Sequence, residues 1–162
     1  MAKAGQSGME RTLIIFKPDA IARGLVGEIL ARFERKGLAI LGMKMIDVPA
    51  RIAKEHYGEH KGKPFYKGLV EFITSGPVIA AVLEGRKAIH VVRKMLGATR
   101  GPDAEAGTIR GDYGLSDRNN LVHASDGPES ARTEIARFFQ PAELVAPPVR
   151  EWVYDLSGKA PE

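Results

Sequence analysis

The chain has 162 residues, of which 44% are hydrophobic, and its 24 lysines and arginines against 20 aspartates and glutamates give a formal net charge of +4. This length fits one compact domain, the apolar fraction excludes an intrinsically disordered chain, and the lack of cysteine excludes a disulfide scaffold, a thiolate zinc site and thiol catalysis. The polar start resembles no secretory signal and no apolar run approaches the ~18 residues of a membrane span, so we expect a cytoplasmic protein with no membrane partner, whose positive charge favours anionic ligands.

The first half of the chain alternates between strand-like and helix-like patterns. Thr12 to Phe16 is a β-branched apolar run that predicts a buried strand. Apolar spacing then predicts a helix that ends at Gly37. A second strand is predicted from Leu38 to Val48, with a possible bulge at Gly42, and Pro49 begins a short helix.

The second half continues in the same manner. Helical spacing from Phe65 to Ile73 precedes a strong strand from Val78 to Leu83 and a helix over Ala88 to Met95. Residues 98–107 are small, polar and aperiodic, which predicts a surface loop. Residues 121–124 are extended and apolar.

A last helix follows, for which Asp126 to Glu129 predicts a capping box. The order of elements fits a split β-α-β-β-α-β arrangement about as well as a doubly wound sheet. The patterns leave this choice open.

Neither of the common glycine-rich phosphate motifs is present. Phosphates would therefore be bound by side-chain cations, and arginine suits this role because its planar fork matches phosphate oxygens. Basic side chains outnumber acidic ones between Arg86 and Arg110, and Arg110 stands between two nearby glycines as if positioned. A solvated basic face is the alternative interpretation.

One histidine of the four differs from the others. His56, His60 and His90 lie among charged residues on predicted helices or turns, which favours surface positions. His123 ends an apolar run just before a helix N-terminus, where free N–H groups attract anions. It is a candidate phosphoryl acceptor or general base, and a packed or turn histidine is the alternative.

Three more side chains have two interpretations each. Lys17 ends a buried strand and either reaches solvent or points into a site at the strand's end. Tyr57 and Phe65 flank a basic turn. Aromatic residues at helical spacing usually belong to the core, and the alternative is a platform for a nucleobase.

Several segments then stand in an order that carries a family resemblance. They are Glu10–Asp19, Arg23–Ile29, Lys54–Tyr57, Lys63–Tyr66, Ser75–Val78, Met95–Thr99, Gly107–Asp112, Asn119–Asp126 and Glu129–Ala131. Together they resemble the nucleoside diphosphate kinases, from about Glu10 to Val145. Ala124 stands where many members have glycine.

The resemblance implies a ferredoxin-like βαββαβ fold of the α+β class, with a four-stranded antiparallel sheet covered by helices. It implies transfer of the γ-phosphate of ATP or another nucleoside triphosphate to a nucleoside diphosphate, by a ping-pong mechanism through a phosphohistidine at His123. It also implies broad base specificity, Mg²⁺ bound mainly through the nucleotide phosphates, and no specific nucleic-acid partner.

The family's phosphate contacts carry over by position. Lys17 would contact the γ-phosphate and the ribose 3′-OH. Arg93 and Thr99 would hold the β-phosphate, and Arg110 the γ-phosphate. Tyr57 would neighbour the transferring group.

The remaining roles concern the nucleoside and the nucleophile. Phe65 would stack on the base, and Asn120 would contact the ribose hydroxyl. Glu134 would hydrogen-bond the His123 ring, with Ser125 completing that support.

The domain organisation follows from the same match. Residues 1–9 are predicted to be a flexible tail, 10–145 the kinase domain, and 146–162 an extension that packs on the domain or on a neighbouring subunit. Glu151 to Tyr154 resembles the tail of hexameric members, so a homo-oligomer is expected, with a hexamer favoured over a tetramer. The rival hypotheses are a basic module that binds nucleic acid and a regulatory oligomer without turnover.

Overall fold

A computed structural model of the chain describes residues 8–146, 153 and 156–158. The strands and helices, in chain order, are β1 (Met9–Phe16), α1 (Pro18–Ala22), α2 (Val26–Lys36), β2 (Ala39–Ile46), α3 (Ala50–His56), α4 (Tyr66–Ile73), β3 (Val78–Arg86), α5 (Ala88–Leu96), α6 (Ile109–Tyr113), β4 (Val122–Ala124) and α7 (Pro128–Phe138). Short 3-10 helices lie at Gly58–His60, Gly101–Asp103 and Pro141–Glu143. Within these described stretches no helix is long and apolar enough to cross a membrane. Most of the predicted tail at 1–9, and Trp152 and Tyr154 of the predicted extension at 146–162, lie outside the described residues.

The four strands form one sheet in the order β2-β3-β1-β4. Every neighbouring pair is antiparallel, which excludes the doubly wound alternative and confirms the ferredoxin-like α+β fold. The register of β2 against β3 shifts between Ile40 and Gly42. The predicted bulge is therefore present, with Leu41 as the extra residue next to the predicted Gly42.

The central strand β1 explains the uninterrupted apolar run near the start of the sequence. Successive side chains of a strand point to opposite faces. Ile14 and Phe16 pack in the cluster with α2 and α5, while Leu13 and Ile15 pack in the cluster with α3, α4 and α7. Because helices cover both faces of the sheet, β1 has no solvent side, and Lys17 at its carboxyl end is buried.

Two local details differ from the sequence patterns. Helices α1 and α6 are not predicted, because five residues are too few for an apolar period to show. The predicted capping box between Asp126 and Glu129 is wrong. Ser130 Oγ instead accepts from the Gly127 N–H at 3.0 Å and donates to the Asp126 carboxylate at 2.5 Å, and α7 begins after Gly127.

Candidate active site

A cleft of about 1040 Å³ lies where β1 and β4 meet the helices. Nearly all predicted site residues line it, namely Lys17, Tyr57, Phe65, Arg93, Thr99, Arg110, Asn120, His123 and Glu134. Ser125 is fully buried beside Glu134. The fold thus brings together side chains that are up to 117 residues apart (134 − 17).

His123 is held by a carboxylate on one side of its ring. It lies in the middle of β4, opposite Ile15 of β1. Its Nε2 lies 3.0 Å from Glu134 Oε2, and since an ionised carboxylate only accepts, we assign the proton to Nε2. Ser125 Oγ donates to the same Oε2 at 2.6 Å. This assignment leaves Nδ1 with the lone pair, so Nδ1 is the ring nitrogen that is free to act as a nucleophile.

Glu134 stays charged in this setting. Burial would raise the pKa of its carboxyl, but hydrogen bonds from His123 and Ser125 hold that pKa below its ordinary value. An anion therefore lies against Nε2 at neutral pH. It can stabilise positive charge on the His123 ring.

A second imidazole packs against the first, and its prediction as a surface histidine is wrong. The His56 ring lies edge-on to His123, with 4.4 Å between the ring centroids, and the residue is only 8% exposed. Burial, with His123 adding to it, lowers the pKa of His56 to about 3, so this ring is neutral. The helical spacing from buried Ala53 to His56 is the signal that could have placed it inward.

Lys17 points into the cleft and not to solvent. Its Nζ donates to Asn120 Oδ1 at 2.7 Å, and Asn120 Nδ2 donates to the Thr99 carbonyl at 2.8 Å. Burial, and then the Arg110 charge, lower the pKa of Lys17 to about 8, even though the Asp19 charge opposes both. The side chain is therefore mostly a cation at pH 7.

Arg110 is positioned by backbone carbonyls. Its Nε, Nη1 and Nη2 donate to the carbonyls of Asn120, Gly97 and Val122 at 3.2, 3.3 and 2.6 Å. A guanidinium has five N–H donors, so about two remain for a ligand. Burial, and then the Arg93 charge, lower the pKa of Arg110 to about 10, which still leaves it a cation at neutral pH. The alternative of an incidental surface arginine is excluded.

Arg93 and Tyr57 complete the polar wall. Arg93 is exposed in the last turn of α5, and its Nη1 donates to the Ala124 carbonyl at 3.4 Å. The buried Tyr57 hydroxyl has no hydrogen-bond partner among the described residues. Burial raises the pKa of this phenol, so the hydroxyl keeps its proton and can donate a hydrogen bond to a bound group.

Phe65 provides an apolar surface at the edge of the cleft. It is 51% exposed at the N-terminus of α4, which excludes the core interpretation. The His60 ring contacts it edge-on at 5.4 Å, and Lys63 Nζ lies 5.7 Å from its centroid. A half-exposed aromatic ring beside the Lys63 cation is suited to stacking on a planar ligand.

Comparison with known proteins is consistent over nearly the whole chain. A family model described as nucleoside diphosphate kinase matches residues 10–144. The nucleoside diphosphate kinase of Pyrococcus horikoshii is 55% identical over 152 residues, which cover 91% of this chain and 97% of that protein. The Thermococcus kodakarensis nucleoside diphosphate kinase is 58% identical, with 84% and 80% covered.

Solved structures agree with the sequence relatives. A halophilic nucleoside diphosphate kinase from Halobacterium salinarum in complex with CDP superposes with a TM-score of 0.83 at 49% identity, covering 91% of this chain and 95% of that one. The Aquifex aeolicus nucleoside diphosphate kinase superposes with a TM-score of 0.82 at 46% identity, covering 85% and 99%. The chain therefore belongs to the nucleoside diphosphate kinase family, and it is a phosphotransferase of that family.

Proposed function

We propose that the chain moves the γ-phosphate of a nucleoside triphosphate to a nucleoside diphosphate in two steps, through a phosphohistidine at His123. One observation carries the proposal. His123 lines the cleft with Nε2 tied to the Glu134 carboxylate, which makes Nδ1 the nucleophile. A neutral imidazole is a good nucleophile near pH 7.

Bonds and charges balance in each half-reaction. First, the Nδ1 lone pair attacks the γ-phosphorus, the bond to the bridging oxygen breaks, and the diphosphate leaves with that electron pair. The ring keeps its Nε2 proton and gains positive charge, which Glu134 stabilises. In the second half, a terminal phosphate oxygen of another nucleoside diphosphate attacks the phosphorus, and Nδ1 recovers its lone pair. Both nucleophiles attack with a free lone pair, so no general base is needed.

The cations of the cleft supply the charge stabilisation. Phosphoryl transfer passes through a loose transition state, so catalysis depends on positioning and on neutralising phosphate charge. Lys17 and the two remaining donors of Arg110 are assigned to the γ-phosphate, and Arg93 with Thr99 to the β-phosphate. The Tyr57 hydroxyl, which has no hydrogen-bond partner in the part of the chain that the structure describes, is assigned to the transferring group.

Base specificity is proposed to be broad. Phe65 would stack on the base and Asn120 would contact the ribose, and stacking accepts any base. Among the charged side chains that line the cleft, Asp117 and Arg118 are already engaged with other residues. Asp117 is paired with Arg100 at 2.8 Å, and the guanidinium of Arg118 lies over another aromatic ring.

Mg²⁺ fits this site as a ligand of the nucleotide and not of protein carboxylates. Within the described chain, the one group of histidine and acidic side chains close enough to share an ion is His56, His123 and Glu134. Two of its three donors are imidazoles, whereas Mg²⁺ prefers oxygen ligands, and Glu134 already accepts from His123 and Ser125. We infer that Mg²⁺ would be held by the phosphate oxygens of the nucleotide and by water, where it would neutralise part of the phosphate charge.

Assembly into a homo-oligomer in the cytoplasm is part of the proposal. β2 is an edge strand of the sheet, and on it Met43 is 50% exposed and Met45 is 59% exposed. Contact between copies of the chain would bury this apolar surface. The hexamer stays a prediction. Sedimentation equilibrium decides it, because six copies weigh six times 17.6 kDa and four copies four times that mass.

The central test separates the two half-reactions. Incubation with γ-labelled Mg-ATP is expected to leave acid-labile label on the protein, and GDP added after removal of the ATP is expected to release it as labelled GTP. His123→Ala is expected to abolish labelling. His90→Ala is the matched control, because His90 is exposed on α5, outside the cleft.

Initial rates give a second test. When ATP and GDP are both varied, a phosphoenzyme mechanism gives parallel double-reciprocal lines. Intersecting lines, or label that persists in His123→Ala, would refute the proposed route.

A further inference from the structure

A strained turn precedes the strand that carries His123. The Val122 N–H donates to the Asn120 carbonyl at 2.8 Å, and Leu121 between them has a φ of 73°. These features define the γ-turn of positive φ, the rarer and strained form. The Leu121 side chain is fully buried in the core. Strained backbone persists only where its surroundings hold it.

The turn is held from two sides. Asp19 Oδ2 accepts from the Leu121 N–H at 3.1 Å, and the Lys17 N–H donates to the Leu121 carbonyl at 2.8 Å. Both backbone groups of Leu121 are therefore bound by the segment that ends β1 and begins α1. On the other side, Arg110 binds the two flanking carbonyls.

The orientation of two site residues depends on this turn. Asn120 begins it, and its side chain bridges Lys17 and the Thr99 carbonyl. His123 is the residue directly after the turn. A rotation of the Leu121 peptide would therefore move the Asn120 amide and the His123 ring together.

Asp19 also acts by its charge. It does not line the cleft, and its Oδ1 is buried with no hydrogen-bond partner among the described residues. Within residues 8–146, the charged or titratable groups that interact with Lys17 through their charge are Asp19 on α1, Arg110 on α6 and His56 on α3. Of these, Asp19 is the group that raises the pKa of Lys17, against burial and Arg110.

We propose that Asp19 is a positioning residue for phosphoryl transfer, which holds the strained turn that orients Asn120 and His123 and sets its negative charge against the buried Lys17 ammonium. This role rests on the proposed function and extends it to a residue outside the cleft. Asp19 acts through its neighbours and does not touch the nucleotide.

Two variants separate the two roles. Asp19→Asn keeps an oxygen that can accept from Leu121 but removes the charge. Asp19→Ala removes both. Asp47→Asn is the control, because Asp47 is an exposed carboxylate outside the cleft.

The expected results differ between the variants. In Asp19→Asn we expect the parent kcat at pH 6 and an alkaline limb of kcat that begins at lower pH, because Lys17 loses its proton more easily. In Asp19→Ala we expect the same shift together with a roughly ten- to hundredfold lower kcat, the size of effect that a misplacement of ~1 Å produces. We also expect faster hydrogen exchange of the Leu121 amide in Asp19→Ala but not in Asp19→Asn.

Two readouts need no nucleotide and so do not depend on the proposed function. They are the Leu121 amide exchange and the titration of the Lys17 ammonium, both measured by NMR. A parent chain that never forms a phosphoenzyme refutes the proposed function, while these readouts still decide the role of Asp19. A parent-like Lys17 titration in Asp19→Asn, or parent-like Leu121 exchange in Asp19→Ala, overturns it. If Asp19→Ala does not fold, the Lys17 titration in Asp19→Asn decides alone.

Discussion

Glu134→Gln is expected to slow phosphorylation of His123 by roughly 30-fold. Glutamine keeps the shape and an accepting oxygen but removes the negative charge 3.0 Å from Nε2. The ring charge is delocalised, so its mean separation from the carboxylate is ~4 Å, at which a full charge pair contributes about 4 kcal/mol for an effective dielectric constant of ~20. With about half of the ring charge developed in the transition state, the loss is about 2 kcal/mol, or roughly 30-fold in rate.

A single-turnover experiment measures this effect directly. The variant is mixed with excess Mg-ATP, quenched without acid at set times, and assayed for phosphorylated protein. Glu34→Gln on α2 is the control, since Glu34 is exposed and lies outside the cleft, and equal thermal melts exclude misfolding. A variant rate within about twofold of the parent rate would refute electrostatic stabilisation of the ring by Glu134. The role of Glu134 would then be limited to fixing the proton on Nε2.

Four other properties of the molecule can be tested. Phe65→Ala is expected to raise KM for both ATP and GTP by roughly five- to a hundredfold with kcat nearly unchanged, because a stacked base contributes ~1–3 kcal/mol; unchanged KM values in steady-state kinetics would contradict the platform. The transfer rate is expected to fall as pH rises through about 8, where Lys17 loses its proton, so a pH profile that stays flat above this value argues against a required ammonium. Because the pKa of Lys17 is lowered by folding, the unfolded chain binds more protons than the folded chain from about pH 8 to 10.5. The Lys17 contribution to the free energy of unfolding is therefore expected to rise with pH across that window, which urea titrations can measure. Phe33→Ala is expected to lower the free energy of unfolding by about 3–5 kcal/mol because Phe33 is fully buried, whereas Leu115→Ala, at an exposed position, should change it by about 0.5 kcal/mol or less; equal losses in urea unfolding would show that the core is misassigned.

The strands could be predicted from the sequence because burial leaves a local signature. In β1 the helices on both faces require an apolar side chain at every position from Leu13 to Phe16, and the bulge next to Gly42 is marked by that glycine. The pairing of these strands has no such signature. The sequence patterns alone do not choose between an antiparallel and a doubly wound sheet. The family resemblance predicts the antiparallel sheet that the structure shows.

The site residues whose type indicates their chemistry, such as Arg110 and His123, can be predicted from the sequence. Residues whose position depends on contacts between distant segments cannot. His56 was misplaced because nothing beside it in the sequence shows that it packs against His123. The strained conformation of Leu121 is held by Asp19, 102 positions away. No local propensity predicts a left-handed leucine, since the free energy that offsets its strain comes from tertiary contacts.

The carbonyl contacts of Arg110 limit what its mutants can reveal. Three of its donors bind the peptide backbone around the Leu121 turn and at Gly97, and only the others are left for a nucleotide. Replacing Arg110 therefore removes backbone hydrogen bonds and a ligand contact at once. The resulting loss of rate is an upper bound on what the contact of Arg110 with phosphate contributes to catalysis. Lysine cannot separate the two, because an ammonium lacks the fork that spans several carbonyls. Guanidinium added to the solution would restore both together, because the N–H groups that bind the carbonyls belong to the guanidinium itself, so the upper bound stands.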